Sequence, residues 1–233
     1  MGIDWRFLVE KYVMNRHRHP EWRIIKRMQK IHGDLFVDVG SNQKVYANAL
    51  RDNFKRIITI DPNPVWNADM KLALSKTAGE QPFYIGNNIS ADSLIHNPHI
   101  LGREWENGSQ TMTVQTVTFD DLQLNADLVK IDVEGAELDV IAGMNKFLPK
   151  RVLIELHDER REDELRLKMW WKSYKPEKLD SYHWLFTFHR MSEDPMQYWR
   201  DQDPLIAAVM GLTNAILKIL NRLPQTLRRR IEP

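Results

Sequence analysis

The sequence predicts an α/β protein with a doubly wound, mostly parallel β-sheet that carries helices on both faces. Three observations support this fold class. Short apolar runs recur along the chain, helix-like segments follow several of them, and one run enters a tight turn in DLFVDVGSNQKVYANAL. Near-continuous apolar runs are typical of strands buried on both faces, and their alternation with helices indicates parallel strands.

Five apolar runs are candidates for the central strands. In chain order they are LFVDVG, RIITIDP, MKLALS, ADLVKIDVEG and RVLIELH. Helices are predicted at 43–52, 136–147 and 160–172, after the first, fourth and fifth runs. The second and third runs are joined by a segment shorter than the roughly 12 residues that a crossover helix needs.

Further strands are predicted beside these runs. The segments QPFYIG (81–86) and TMTVQTVTF (111–119) are interpreted as added strands that flank a polar stretch, 87–110. A long polar stretch near a sheet rim is often functional. The segments YKPEKLD and YHWLFTFHR are predicted to form an antiparallel hairpin that closes the sheet.

The chain is divided into three segments. Residues 1–32 are predicted as a basic N-terminal helical segment, 33–200 as the α/β domain, and 201–233 as a basic amphipathic helix. The last helix has apolar residues along one face and ends in TLRRRIEP. It is expected to dock on the domain, to pair with a second copy in a homodimer, or to lie on a membrane surface.

The composition excludes several functional classes. The net charge of the 233 residues is +1, so no nucleic-acid partner is expected. The absence of cysteine excludes disulfides, thiolate nucleophiles and cysteine-ligated zinc. The sequence shows neither a signal-peptide core nor a window of ~18 apolar residues. A cytoplasmic location is expected, with peripheral contact at the inner membrane surface if the C-terminal helix binds lipid.

Ionisable residues interrupt the apolar runs, although such side chains are almost never fully buried unless they are paired. They are Asp38 in the first run, Lys130 and Asp132 in the fourth, and Glu155 and His157 in the fifth. In the commonest strand order these runs are neighbours, and ligands bind beyond their carboxyl ends. Lys130 is then expected to lie between carboxylates that neutralise it. The cluster indicates either a binding site or a structural ion-pair network.

The turn after the first run predicts a loop that binds a nucleoside-like ligand. Asp61 ends the second run about 20 residues after Gly40, and a carboxylate there is the usual acceptor for ribose hydroxyls. The turn lacks the GxGxxG pattern of dinucleotide-binding loops. Lys44 stands where a second glycine is expected, and its ammonium either pairs with a carboxylate of the ligand or extends to solvent.

The segment TVTFDDLQLNADLVKIDVEGAELDVIAGM, residues 116–144, closely resembles the FkbM family of S-adenosylmethionine-dependent methyltransferases. The resemblance depends on a TLDDL-like lead, the motif KIDVEGAE and an apolar helix that ends in Gly-Met. The segments FVDVGSN, IDPNP, LALSKTAG and VLIELH are similar to further family segments in the same order. The resemblance spans residues 34–157 and implies a class I methyltransferase (Rossmann-like) fold for the domain 33–200.

The resemblance also implies an activity, which is O-methylation with S-adenosylmethionine as cofactor. The acceptor is expected to be a hydroxyl of a sugar in a glycan, of a glycolipid or of a natural product. The residues implied at the cofactor are Asp38, Gly40, Ser41 and Asn42 under the methionine part, Asp61 at the ribose, Leu74 and Ser75 near the adenine, and Lys130 between the carboxylates. Asp132 and Glu134 are expected to close the substrate side.

Methyl transfer to a hydroxyl needs a positioned acceptor oxygen and a base within hydrogen-bond reach. His157 is a candidate base because imidazole titrates nearest to neutral pH, and Asp132 is the other candidate. Together with Glu134 they form the predicted catalytic set. The same three side chains could alternatively bind a divalent cation that lowers the pKa of the acceptor hydroxyl.

Two other functions remain open on the sequence. A non-catalytic binding module is predicted if Lys44 and the short link after Asp61 have removed the cofactor pocket, with the C-terminal helix binding a membrane or a partner. A nicotinamide-dependent oxidoreductase would need the missing GxGxxG pattern. Binding of S-adenosylmethionine distinguishes the methyltransferase from both alternatives.

Overall fold

The structure is a computed structural model that describes residues 21–85, 92–95 and 110–189. The chain divides into two units, Met1–His189 and Arg190–Pro233, and the described residues all belong to the first. The first predicted helix, most of the polar stretch 87–110 and the C-terminal helix lie outside the described residues. The boundaries predicted for the three segments therefore stay predictions.

Six strands form the central sheet of the described residues. They are β1 (Gly33–Val39), β2 (Phe54–Ile60), β6 (Leu128–Ile131), β7 (Arg151–Glu155), β8 (Tyr174–Lys178) and β9 (His183–Phe188). Their order across the sheet is β2-β1-β6-β7-β9-β8. The first four in this order run parallel, and β9 and β8 add antiparallel as the closing hairpin. The predicted α/β class, with a mostly parallel sheet and an antiparallel hairpin, is confirmed.

Four α-helices accompany the strands in the described residues. They are α1 (Trp22–Met28), α2 (Val45–Ala49), α3 (Glu137–Ala142) and α4 (Glu162–Trp171). The last three fall inside the predicted helical segments but are shorter at both ends. A 3₁₀ turn, Glu159–Arg161, leads into α4. None of these four helices has the length and hydrophobicity of a membrane span.

A second sheet contains three short strands. They are β3 (Ala73–Leu74), β4 (Gly79–Ile85) and β5 (Gln110–Val117), in the order β3-β5-β4. The last two are the added strands predicted from the sequence. The third apolar run is not a central strand as predicted, because Met70 makes a single parallel bridge to Ile60 and the chain then pairs with β5. The short link after Asp61 keeps this run at the end of β2.

Apolar side chains cover both faces of the central sheet, since successive strand residues point to opposite faces. One face packs Val37, Val129 and Val152 into a cluster that includes residues of α3 and α4. The other face packs Phe36, Leu128 and Leu153 against the buried side of α1. The side chains of α1 that contribute are Ile24, Ile25 and Met28, all buried.

The strand register aligns the ionisable residues near one edge of the sheet. Asp38 of β1 pairs with Lys130 of β6, and Lys130 pairs in turn with Leu153 of β7. Glu155 lies two residues beyond Leu153, so it is level with Asp132 and not with Lys130. The carboxyl ends of three neighbouring strands thus bring these charged side chains together, as the sequence predicts.

Candidate active site

A cleft of about 340 Å³ opens at the carboxyl ends of the parallel strands. Carboxyl ends of parallel strands lie at one edge of a sheet, so the loops that follow them surround a single site. The side chains of the β1–β2 end of the cleft include Ser41, Asn42, Asp61, Trp66 and Leu74. Those of the β6–β7 end are Lys130, Asp132, Glu134 and Glu155.

Gly40 joins the loop after β1 to the end of β6. Its φ is +70°, and a Cβ at this position would lie 1.7 Å from the carbonyl oxygen of Asp132, so only glycine fits. The Gly40 carbonyl accepts a hydrogen bond of 3.0 Å from Lys130 Nζ. The single glycine of the turn therefore allows the two ends of the cleft to pack closely against each other.

Asp61 lies at the β1–β2 end and is fixed by backbone donors. Its carboxylate accepts hydrogen bonds from the N–H groups of Asn42 at 2.8 Å and of Asn63 at 3.0 Å. Burial raises the pKa of Asp61, and these two hydrogen bonds act against that shift. The neighbouring Ser41 hydroxyl is buried in the cleft wall and has no hydrogen-bond partner among the described residues. It is available to a bound ligand.

Lys130 forms the buried floor of the cleft, and Asp38 lies behind it. Lys130 Nζ donates a hydrogen bond of 2.9 Å to Asp132 Oδ2 and lies 3.7 Å from Asp38 Oδ1. Burial raises the pKa of Asp38 to about 6, although the charge of Lys130 opposes the shift. Burial would lower the pKa of Lys130, but the charges of Asp132 and Asp38 outweigh it and raise that pKa above its ordinary value. Lys130 is therefore a buried cation paired with two carboxylates.

His157 lies among four carboxylates at the β6–β7 end. Its Nδ1 is 3.0 Å from Glu137 Oε1, and its Nε2 is 3.1 Å from Glu134 Oε2. The Nε2 atom also lies 3.8 Å from Asp132 Oδ1 and 3.9 Å from Glu155 Oε1. Both ring nitrogens therefore face carboxylate oxygens, an arrangement that suits an imidazolium donating from both nitrogens.

The pKa values of this cluster follow from its charges. Burial would lower the pKa of His157, but the hydrogen bond to Glu137 and the charges of Glu134 and Asp132 raise it to about 10. Burial raises the pKa of Glu134 to about 8, against the attraction of His157. Burial would raise the pKa of Asp132, but Lys130 and His157 lower it. The carboxylates around His157 thus favour its protonated form, and the catalytic roles predicted for Asp132, Glu134 and His157 stay predictions.

The backbone of Glu134 adopts a conformation that L-residues rarely occupy. Its φ is +53°, and a left-handed backbone costs roughly 1–2 kcal/mol for a residue other than glycine. Ser93 Oγ donates a hydrogen bond of 2.7 Å to the Glu134 carbonyl, which fixes the loop from above. Such strain persists where the surroundings impose it, and it is concentrated at functional sites.

The structure brings most of the predicted site residues to the cleft. Those that line it are Gly40, Ser41, Asn42, Asp61, Leu74, Lys130, Asp132 and Glu134. Asp38 and His157 lie behind lining residues, in contact with Lys130 and Glu134 respectively. Ser75 is buried outside the cleft wall, where its Oγ accepts a hydrogen bond of 3.3 Å from Gln81. Lys44 is likewise not a lining residue.

The second sheet contributes side chains to the wall of the cleft next to the short link after Asp61. Leu74 of β3 and Phe83 of β4 line the β1–β2 end together with Pro62 and Trp66 of the link itself. These side chains form an apolar wall where the sequence predicts the adenine side. Lys44 in place of glycine and the short link after Asp61 therefore do not close the cleft.

The sequence predicts no role for Glu137 and His183, and it predicts Glu155 only as a carboxylate that helps to neutralise Lys130. Glu155 lines the cleft, Glu137 contacts His157, and His183 of β9 has its Nε2 at 3.3 Å from Glu155 Oε2. Glu155 and His183 are opposite each other in the register of β7 and β9. The sequence predicts the hairpin but not its register on β7. Only that register shows that His183 lies beside Glu155.

One group of side chains in the described residues could hold a metal ion. Asp132, Glu155 and His157 each offer one ligand atom, and these atoms lie within 4.8 Å of one another. The sequence predicts Asp132, Glu134 and His157 for this purpose. In the structure Glu155 replaces Glu134 in the set.

A family model and solved structures match this chain. The sequence model of the methyltransferase FkbM domain matches residues 38–191. Similar solved structures include TrmK of M. capricolum in complex with S-adenosyl-homocysteine (16% identity, 89% of this chain and 91% of that chain, TM-score 0.38) and a type 11 methyltransferase from Sulfolobus solfataricus (14% identity, 76% and 95%, TM-score 0.37). No curated protein matches the sequence. Because the family model covers more than half of the chain, including the loops of the cleft, the chain belongs to the FkbM family of methyltransferases.

Proposed function

We propose that the chain transfers a methyl group from S-adenosylmethionine to a hydroxyl of a sugar, in a glycan or a glycolipid. The carboxylates of Asp132, Glu134 and Glu155 at the β6–β7 end of the cleft carry this proposal. A hydroxyl must lose its proton as its oxygen attacks the methyl carbon, so it needs a base within hydrogen-bond reach. Carboxylates that line the cleft can supply that base.

The β1–β2 end has the chemistry that the cofactor requires. S-adenosylmethionine, when bound, supplies an electrophilic methyl group on a positively charged sulfur. The Asp61 carboxylate, at the end of β2, would accept hydrogen bonds from ribose hydroxyls, and the Ser41 hydroxyl, which has no partner among the described residues, would offer a further polar contact. Trp66 and Phe83 provide an apolar wall for the adenine. Lys130 stabilises the loop at this end, because its Nζ donates a hydrogen bond to the Gly40 carbonyl.

Glu134 is the proposed base. It would take the proton of the hydroxyl while the acceptor oxygen bonds to the methyl carbon and the bond from that carbon to the cofactor sulfur breaks, which leaves S-adenosylhomocysteine. A base is most effective when its pKa lies near the working pH, and burial raises the pKa of Glu134 to about 8. His157 and Glu137 are positioning residues, because His157 contacts Glu134 at 3.1 Å and is itself held by Glu137.

Calorimetric titration with S-adenosylmethionine tests the cofactor half of the proposal, and the mass of candidate sugars incubated with enzyme and cofactor tests the acceptor half. We expect binding, and a mass increase of one methyl group on a hydroxylated acceptor. No binding at millimolar cofactor would contradict the enzyme and favour the non-catalytic module.

A pair of variants separates the base from general charge effects. We expect Glu134→Gln to retain cofactor binding and to lose about 10²–10⁴-fold in turnover, the range typical of a general base. Glu159→Gln removes the same charge from an exposed position of the 3₁₀ turn and should leave turnover unchanged. Equal turnover in the two variants would remove Glu134 from the mechanism.

The glycolipid form of the proposal depends on the sequence of residues 204–233. Their basic amphipathic pattern suits a helix on an anionic membrane surface, which would place a cytoplasmic enzyme beside lipid-linked acceptors. We expect the full chain to sediment with anionic liposomes and a chain lacking 204–233 to stay in the supernatant. If both remain in the supernatant, the membrane partner is excluded, whereas loss of a dimer on truncation would support a protein interface.

A further inference from the structure

We propose that Asp132, Glu155 and His157 bind a divalent cation at the β6–β7 end of the cleft. The Nε2 atom of His157 lies 3.8 Å from Asp132 Oδ1 and 3.9 Å from Glu155 Oε1. An ion with metal–ligand bonds of about 2.1 Å has its ligand atoms at most about 4.2 Å apart. These two distances lie within that limit, and one ligand atom of each of the three side chains lies within 4.8 Å of the others, so a small movement of the side chains would allow one ion to bind between them.

Each of the three side chains has a separate outer partner, and the partners of Asp132 and His157 are hydrogen-bonded to them. The contacts are Lys130 Nζ to Asp132 Oδ2 at 2.9 Å, Glu137 Oε1 to His157 Nδ1 at 3.0 Å, and His183 Nε2 to Glu155 Oε2 at 3.3 Å. One oxygen of each carboxylate and the Nε2 atom consequently face the centre. Outer partners of this kind orient metal ligands in proteins, and a carboxylate behind a histidine is the commonest example.

His183 supplies an independent indication that the orientation of Glu155 matters. It is buried, and its Nε2, although close to Glu155, is not aligned for a hydrogen bond in the described residues. Its Nδ1 contacts Asp180 Oδ1 at 2.9 Å. A buried imidazole nitrogen without a hydrogen bond costs stability. A ligand that binds Glu155 in the cleft would remove this cost if it moved the Glu155 carboxylate into hydrogen-bonding alignment with His183 Nε2.

The charge of the centre favours a cation. Glu134 and Glu137 add two carboxylates to the ligand set around His157. The side chains of Asp132, Glu155 and His157 are 25%, 21% and 17% exposed, so an ion can enter from the cleft. Two carboxylates and one imidazole form a mixed oxygen and nitrogen set, which suits ions such as Mn²⁺.

The role of the ion rests on the proposed function. A divalent cation beside the acceptor oxygen would polarise the hydroxyl and ease the loss of its proton. Coordination by Nε2 would require His157 to release its Nε2 proton to solvent, so the ion would replace the imidazolium as the positive partner of the carboxylates and leave Glu134 free to receive the proton of the hydroxyl. The protein thus uses one cluster for two purposes, holding the ion and accepting the proton.

Titration of the full chain with Mn²⁺, followed by electron paramagnetic resonance, tests the site. We expect about one ion per chain, and at least a ~100-fold weaker affinity in Glu155→Gln and in Asp132→Asn, because loss of an outer partner alone costs ~10–100-fold. The matched control Glu159→Gln should bind Mn²⁺ like the natural chain. Absence of Mn²⁺ binding by the natural chain would overturn the proposal, as would equal affinity in the control and in both ligand variants.

A parallel titration with S-adenosylmethionine in the presence of a chelator separates this proposal from the proposed function. Cofactor binding without Mn²⁺ binding would remove the metal site and leave the methyltransferase intact. Mn²⁺ binding without cofactor binding would support the metal site and contradict the proposed function. Should Glu155→Gln fail to fold, the natural chain and Asp132→Asn still decide the outcome.

Discussion

The two ends of the cleft hold their carboxylates in different ways. At the β1–β2 end the donors are backbone N–H groups, from Ala47 to Asp38 at 3.2 Å, and from Asn42 and Asn63 to Asp61 at 2.8 Å and 3.0 Å. Backbone donors are positioned by the fold and keep their charge distribution at every pH. The geometry of this end is therefore fixed once the strands and loops have formed.

At the β6–β7 end charged side chains hold the carboxylates. Lys130 binds Asp132, and His157 contacts Glu134 and Glu155. Because the strength of these contacts depends on the ionisation of both partners, we expect this end to respond more strongly to pH and to ions than the first end, where only the carboxylates titrate. The β1–β2 end, which has the proposed cofactor contacts, is therefore called the rigid end, and the β6–β7 end, which has the proposed acceptor contacts, is called the adjustable end.

Gly40→Ala should have the largest effect, because Gly40 is where the two ends meet. A Cβ at this position would lie 1.7 Å from the carbonyl oxygen of Asp132, and its φ of +70° adds strain for any L-residue. Backbone atoms cannot move away without separating β1 from β6. We expect a loss of about 4 kcal/mol in the free energy of unfolding, measured by urea denaturation.

Gly79→Ala is the matched control for backbone strain. Gly79 also has a positive φ, of +146°, but nothing lies within 4 Å of a Cβ there. Strain alone should cost about 1 kcal/mol. Equal losses in the two alanine variants would show that the ends of the cleft are not tightly joined at Gly40.

Asp61→Ala should have the next largest effect, and it should act on the cofactor. The change removes the acceptor for the backbone N–H groups of Asn42 and Asn63 and, in the proposed function, for the ribose hydroxyls. Hydrogen bonds to a charged group contribute roughly 1.5–3 kcal/mol each. We expect S-adenosylmethionine to bind about 100-fold more weakly in calorimetric titration.

Asp34→Ala provides the comparison for this variant. Asp34 is an exposed carboxylate at the opposite end of β1, paired with exposed Lys55. Its removal should leave cofactor affinity unchanged. If Asp61→Ala binds the cofactor like Asp34→Ala, the assignment of the ribose to Asp61 is wrong.

Much of the rigid end could be predicted from the sequence, because its signals are local. The strands β1, β2, β6 and β7 are apolar runs, and Asp61 follows its strand directly. The helices are shorter than predicted because periodicity does not mark their ends. The backbone of Lys44, for example, is left-handed, with φ 59°. The helix α2 therefore begins at the next residue, Val45, and not at residue 43 as predicted.

The adjustable end could be predicted only in part, because it depends on contacts distant in sequence. Glu137 and His183 reach the cluster from α3 and from the hairpin. The TLDDL-like lead, by contrast, supports the fold and not the site. Asp120 accepts hydrogen bonds from the backbone N–H groups of residues 145–147, and Asp121 from that of Thr118. Similarity to a family motif does not distinguish these two purposes.

The pH dependence of stability tests whether the β6–β7 end is held by charge. The folded pKa of His157 is raised to about 10 from 6.5, so its contribution is complete below pH 6.5 and is lost as the pH rises towards 10. The raised pKa of Glu134 acts in the same direction up to about pH 8. With a chelator present, we expect the free energy of unfolding to fall by on the order of 2 kcal/mol between pH 7 and 9.5.

His157→Gln should remove most of this dependence, since glutamine does not titrate. His189→Gln changes an exposed histidine outside the cluster and should keep the slope of the natural chain. Urea denaturation at the two pH values measures both variants. A slope that persists in His157→Gln would place the titrating group elsewhere.

Lys44→Gly should have the smallest effect, and it tests whether the rigid end tolerates its unusual residue. Lys44 has a left-handed backbone, which costs an L-residue roughly 1–2 kcal/mol, whereas glycine adopts it freely but loses more entropy on folding. We expect a net gain of about 0.5–1 kcal/mol in the free energy of unfolding. Lys44→Ala is the control, because it removes the same ammonium and keeps the backbone strain, so it should show no gain.

Cofactor affinity in the same two variants decides what the ammonium of Lys44 does. Lys44 does not line the cleft. Burial would raise the pKa of Asp69, but hydrogen bonds from Thr59 and the charge of Lys44 lower it, which places the ammonium near Asp69. We therefore expect S-adenosylmethionine to bind equally well to Lys44→Gly, to Lys44→Ala and to the natural chain. Weaker binding in both variants would mean that the ammonium pairs with the cofactor carboxylate. In that case a side-chain charge would contribute to ligand binding at the β1–β2 end as well.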